Sequence, residues 1–142
     1  MDQEQFEKLI RNLVSLPNET ETVEFKENRF DEDDIGKRIS ALSNSANLHD
    51  KKNAFLVFGI QDNTHNIVGT SFSPNNEKIG NDQLEFWLSR KINPRVDFRI
   101  HEFKYETKKI VIFEIPPAIN QPIKFNNIAY IRIGSTTPKL ID

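Results

Sequence analysis

Residues 54–60, Ala-Phe-Leu-Val-Phe-Gly-Ile, offer no side chain that prefers water. The run is far short of the roughly 20 apolar residues that cross a bilayer. A strand at the centre of a sheet, covered on both faces, is the structure that hides every one of its side chains. Such a strand needs layers above and below it, which points to a sheet with helices packed on it.

The rest of the chain supplies those layers. Phe6, Leu9, Ile10 and Leu13 recur at helical spacing, and Asp2 with Gln5 reads as a capping box, so a first helix is predicted to end near Pro17-Asn18. Residues 22–26 alternate as a short strand, with Val23 and Phe25 toward the core and Thr22, Glu24 and Lys26 on the other side. The acids at 31–34 suit the positive end of a helix dipole, so they open a second helix with Asp31 as N-cap and Ile35, Ile39, Leu42 and Ala46 as its buried stripe. Residues 61–66 read as a turn and 67–69 as a short partner strand. Leu84, Trp87, Leu88 and Ile92 mark a third helix stopped by Pro94, and strands are predicted at 96–105, 110–115 and 128–133. The fold class is α/β (α+β), a mixed β-sheet with about three helices in a single domain spanning 1–142.

Composition narrows the chemistry. There is no cysteine, which excludes disulfides, zinc ribbons and thiol nucleophiles. The opening Met-Asp-Gln-Glu is acidic where a secretory signal is basic and then apolar, so a cytoplasmic protein with no membrane partner is expected. The net charge of −2 conceals an asymmetry: residues 1–34 hold eleven acids and four bases, and the remainder holds fifteen bases and ten acids. The basic portion could face a polyanion or be ordinary charged surface.

Several familiar devices are absent. Gly36-Lys37 is followed by Arg38 and lacks the upstream glycine of a phosphate loop, so no ATP is expected. Gly59 stands alone after its strand, without a dinucleotide fingerprint. His49, His65 and His101 have no metal-ligand spacing, and Ser40, Ser43 and Ser45 lie along a helix rather than in a nucleophile elbow.

What remains is a set of acids. Glu19 precedes the first strand, Glu24 points off its non-core side, and Asp62 follows the most buried strand, where α/β sheets tend to place ligands. If the chain bends between Glu19 and Glu24, the three carboxylates make a hard-oxygen site for Mg2+ or Mn2+, with Lys26, Lys37 or Arg38 holding a phosphate backbone. The structural alternative has Glu19 as a loop residue, Glu24 paired with Lys26, and Asp62 as a turn former.

Four segments carry a resemblance. Residues 19–26, Glu-Thr-Glu-Thr-Val-Glu-Phe-Lys, resemble the E-S/T-x-x-x-E-F-K opening of the Schlafen-type AlbA-like domain family. Residues 39–47 are similar to its I-x-A-x-A-N segment, residues 58–62 with 67–69 to its G-V-x-D … I-V-G, and residues 129–137 to its Y-x-R-x-G-S close. The resemblance implies a nucleic-acid-binding domain, often described as a DNA-binding or transcriptional-regulator module and often N-terminal in a longer protein. It also implies, from the ribonuclease members that cut transfer and ribosomal RNA, that Glu19, Glu24 and Asp62 are catalytic and metal-binding. Those proteins carry a cysteine-bound zinc that this chain cannot hold, so no zinc is expected. They form a groove from two lobes, which here implies a homodimer.

The expected function is therefore a nucleic-acid-binding domain, a candidate metal-dependent endoribonuclease for structured RNA. Lys26, Lys37, Arg38 and Arg132 are expected at the RNA or DNA backbone. For Lys26 a salt pair, for Lys37 and Arg38 plain helix solvation, and for Arg132 a cross-strand ion pair are the other readings. The rival functions are a non-catalytic DNA-binding regulator and a ligand-sensing or assembly module. No segment reads as a helix-turn-helix or zinc finger.

Overall fold

The computed structural model describes residues 1–16, 20–28 and 31–140. Strand β1 (Val23–Lys26) lies parallel to β2 (Ala54–Phe58), which is antiparallel to β7 (Lys108–Ile115), itself antiparallel to β6 (Arg99–Tyr105). The order β1-β2-β7-β6 puts β2 inside the sheet, as its composition demands. Two smaller ladders complete the strands: β3 (Lys78–Ile79) with β4 (Asp82–Gln83), and β5 (Ile92–Asn93) with β8 (Lys124–Phe125) and β9 (Ile128–Ala129).

Helices close both faces. Helix α1 (Gln3–Val14) carries the reciprocal Asp2–Gln5 capping box and drives Phe6, Ile10 and Leu13 against Val23, Phe25, Val57 and Ile112. Helix α2 (Glu32–Leu48) is capped by the Asp31 side chain and packs Ile35, Ile39 and Leu42 on Leu56, Phe58 and Phe113 of the opposite face. Helix α3 (Leu84–Lys91) joins that second layer through Leu84 and Leu88. The mixed sheet and three helices are the expected α+β architecture.

Several expected boundaries needed correction: residues 67–69 carry the isolated bridge Ile60–Ile67 in place of a strand, β2 ends at Phe58, and Ile92 belongs to β5 and not to α3. Helix α1 ends at Val14, short of the stop expected near Pro17-Asn18, and Pro17 and Asn18 lie outside the described residues. The strand expected from residue 96 begins at Arg99, because residues 95–98 run as an irregular connection after Pro94. The strand expected over 128–133 stops at Ala129.

The cause of the last correction is α2. Beyond its apolar stripe it buries Ser40, Ser43, Asn44 and Ser45; Ser43 Oγ donates to the Pro116 carbonyl after β7, and the other three bond the segment at 123–132 instead of water. Ser40 Oγ accepts from the Tyr130 amide at 3.0 Å, and Asn44 Nδ2 donates to the carbonyls of Ile123 (3.0 Å) and Tyr130 (2.8 Å). Asn44 Oδ1 accepts from the Ile123 amide at 2.8 Å, and Ser45 Oγ from the Arg132 amide at 3.0 Å. Backbone that would have continued the ladder is diverted to helix side chains, each bond satisfying a group that burial would otherwise penalise. Gly36 sits where any Cβ would collide with the Phe125 ring, so α2 reaches β8 closely only because it lacks one.

Candidate functional site

The polar seam on α2 carries residue 132 back to β1, and the result is a buried charge cluster. Glu24 sits on the α2 side of β1, in register with Leu56, and is only 5% exposed. An isolated carboxylate in such a place would be costly, and Glu24 is not isolated. Arg38 of α2 donates from Nε to Glu24 Oε2 at 2.7 Å, Lys26 lies 3.4 Å from the same oxygen, and Arg132 donates from Nη1 to Oε1. Arg132 is 1% exposed and its Nε also donates to the Thr20 carbonyl at 3.0 Å. Asp34 extends the network outward, 3.3 Å from Lys26 Nζ and 3.3 Å from Arg38 Nη2. Among the described residues the network thus sets Lys26, Arg38 and Arg132 against the carboxylates of Glu24 and Asp34.

The cluster explains why Glu24 and Thr22 are buried although they lie on the side opposite Val23 and Phe25. The α2 layer and residue 132 cover that side, so β1 has no wet face. It also brings together Glu24, Lys26, Arg38 and Arg132 of the expected site residues. Lys26 and Arg38 keep part of their side chains open, 28% and 20%, whereas Arg132 is turned inward at 1%. Lys37 is exposed on the next position of α2, its ammonium 5.9 Å from the centre of the Tyr130 ring.

Asp62 stands apart from this network. It is exposed in the turn after β2, and among the described residues no cation pairs with it. Its neighbour Gln61 anchors that turn, accepting from Thr64 Oγ1 at 2.7 Å and donating to Glu27 Oε1 at 3.4 Å across to the segment after β1. Because β1 and β2 are parallel, both lead to one end of the sheet. There a cleft of about 660 Å³ opens, lined by Lys26, Glu27, Asn28, Asp31, Asp34 and Lys37 among others. Glu19 lies outside the described residues.

A divalent cation fits Glu24 poorly as these residues stand. Both carboxylate oxygens already accept from cationic donors, and an ion there would adjoin three positive charges. Among the described residues no group of three His, Cys, Asp or Glu side chains is placed to hold a metal. The arrangement does suit an anion: a fixed guanidinium and ammonium side by side, held from behind by a carboxylate that cannot leave.

Close by, Glu21 Oε1 accepts from the Gly134 amide at 3.3 Å. Backbone hydrogen bonds, from its own amide first and then Gly134, hold its carboxyl below the usual carboxylate range, with His49 and Arg132 adding smaller attractions.

Sequence reasoning found the members of the Glu24 cluster but not their mutual arrangement. The signal it passed over was the polar set Ser40, Asn44 and Ser45 inside a stripe otherwise apolar.

Among solved structures, the DIP2311 protein from Corynebacterium diphtheriae superposes with a TM-score of 0.56 at 15% identity, covering 97% of this chain. This chain spans 27% of that protein. The N-terminal domain of a RecG-related protein from Nitrosomonas europaea superposes with a TM-score of 0.56 at 18% identity, covering 94% of this chain and 92% of that domain. At such identities the likeness is one of fold. No curated protein matches the sequence. The sequence profile described as Schlafen, AlbA_2 matches residues 19–141.

Proposed function

The chain belongs to the Schlafen, AlbA_2 family, and on that premise we propose that it is a nucleic-acid-binding domain that grips a phosphate backbone with Lys26, Lys37 and Arg38. The observation that carries this reading is the Glu24 cluster. Glu24 fixes Arg38 and Lys26 beside each other while leaving both partly open. Prepaid side-chain ordering lets each cation contribute more to an anion than a freely moving surface lysine does. Glu27, Asp31 and Asp33 also line the cleft and repel phosphate, so the backbone approaches along Lys37 and Arg38.

A finer reading adds catalysis: cleavage of structured RNA such as transfer RNA, with Glu19, Glu24 and Asp62 around Mg2+ or Mn2+. The Gln61–Glu27 bond, which ties the Asp62 turn to the chain just beyond Glu24, favours it. It requires Glu24 to exchange a guanidinium for the ion. A bound cation would neutralise charge on the reacting phosphate; the chain's own part is to hold the backbone with Lys26 and Arg38.

The test compares wild type, Lys37→Ala and Asp62→Asn on mixed transfer RNA and a short DNA duplex, in manganese and in EDTA, on native and denaturing gels. A retarded band that weakens with Lys37→Ala supports the binding reading, and no retardation even at low salt refutes it. Fragments produced by wild type with manganese, and lost in Asp62→Asn, support catalysis. Intact RNA under every condition removes the nuclease reading and leaves a binding module.

A further inference from the structure

A second surface, built on α3 and the segment that follows it, combines aromatic rings with arginines. Phe86 on α3 is a large apolar side chain left 56% exposed. The Arg90 guanidinium lies one helical turn on, 5.6 Å from the centre of its ring. The next pair along repeats the pattern, with Lys91 Nζ 5.7 Å from the Trp87 ring, which itself packs on Phe125. Beside them a cleft of about 560 Å³ is lined by Arg90, Arg95 and Arg99, with Glu85 and Asp97 as its carboxylates.

Those carboxylates do not silence the arginines. Arg95 pairs with Asp97 at 3.0 Å, but the two side chains are 89% and 78% exposed, and an ion pair that open is worth little. Arg90 pairs at 2.5 Å with Asp82 and remains 56% exposed. Among the described residues no carboxylate pairs with Arg99, since its cross-strand neighbour Glu114 bonds His101 instead, at 2.9 Å. Residues 84–99 hold four cations against two acids, whereas residues 1–34 are strongly acidic.

We infer that this face binds single-stranded nucleic acid, with an unpaired base stacked on Phe86 and the neighbouring phosphates held by Arg95 and Arg99 in the cleft. The charge selects a polyanion. The exposed ring, flanked by a guanidinium, selects one that presents flat π-faces, which a duplex hides in its stack. The inference rests on the nucleic-acid reading but uses none of the residues of the Glu24 cluster, so each can fail without the other.

The experiment is a titration of the full chain with fluorescein-labelled single strands and the matching duplex, followed by anisotropy, with Trp87 emission as a local reporter because it is the chain's sole tryptophan. Phe86→Ala is expected to weaken single-strand binding roughly 5- to 100-fold, the range for loss of one stacked base. Phe86→Tyr restores it, and duplex binding changes less than twofold. Replacing Arg95 and Arg99 together by alanine lowers the single-strand salt slope by about 1.4, two contacts at about 0.7 each. Unchanged single-strand affinity in Phe86→Ala, with wild-type binding present and weakened by Lys37→Ala, overturns this inference alone. No binding by wild type overturns both readings. A change in sedimentation coefficient on Phe86→Ala without a change in affinity overturns it in favour of a contact between copies. Phe86 is exposed, so thermal melts of the variants are expected to match wild type.

Discussion

Replacing Glu24 by glutamine removes one charge from a site where three cations converge. The amide keeps the shape and one acceptor, but Arg132, 1% exposed, loses the Glu24 charge at a position with little access to water. Breaking a buried pair by neutralising one partner typically costs about 3–5 kcal/mol, mostly the penalty of the charge left behind. Lys26 and Arg38 retain Asp34 and partial hydration, so the cost falls chiefly on Arg132. For a domain of this size, roughly 3 °C per kcal/mol converts that loss to a fall of about 10–15 °C in Tm. Circular dichroism melts, with urea titrations for the free energy, measure it. The double variant Glu24→Leu with Arg132→Met replaces the pair with apolar groups and is expected to recover most of the loss, giving a strong coupling in the double-mutant cycle. A Glu24→Gln protein within about 1 kcal/mol of wild type would falsify the claim that Glu24 organises the cluster. The same reasoning makes Glu24→Ala a poor nuclease control, because lost cleavage could report lost folding; exposed Asp62 is the better position.

Further outcomes follow from individual contacts. Asn44→Ala strands the Ile123 amide and the Tyr130 carbonyl, while the Ile123 carbonyl keeps Ser40 Oγ, so a loss of about 2–4 kcal/mol is expected in urea titrations, and a loss below 1 kcal/mol would show that water replaces the amide. Gly36→Ala pushes a methyl into the Phe125 ring and is expected to cost about 1–3 kcal/mol despite alanine's better helix propensity; a stabilised variant would mean that α2 shifts freely. Asp62→Asn, at an exposed turn, is expected to leave stability within about 0.5 kcal/mol of wild type by the same melts. Glu21 has a depressed carboxyl pKa in the folded state, so its stabilisation is present above the ordinary carboxylate range and is lost as pH falls through the folded value. The melting difference between wild type and Glu21→Gln should accordingly be seen near pH 6 and vanish near pH 2; a pH-independent difference would contradict it.

The parts of the fold governed by local rules were legible. The Asp2–Gln5 box and the Asp31 cap formed as read, and the apolar run at 54–60 supplies the inner strand β2 as far as Phe58. The C-terminal third was less so, because its strands end where distant side chains compete for the backbone. Nothing near residue 130 announces that Ser40 and Asn44, some 90 residues earlier, will take its amide and carbonyl. The site shows the same division. Strand alternation puts Glu24 and Lys26 on one face, while Arg38 is expected only as a backbone contact or a solvated helix residue. That Arg132 would turn inward and complete the cluster depended on α2's polar seam, a tertiary feature with only its buried serines and asparagine as a trace in the sequence.

The central claim is that this domain holds a phosphate backbone with Lys26, Lys37 and Arg38 on the framework set by Glu24. Its most direct test is the salt dependence of affinity for a DNA duplex between 50 and about 200 mM, measured for wild type and for Lys37→Ala by anisotropy. The account predicts that log affinity falls linearly with log salt and that the variant's slope is shallower by about 0.9, one phosphate contact. An identical slope in the two proteins, or no binding by wild type at 50 mM, would contradict it.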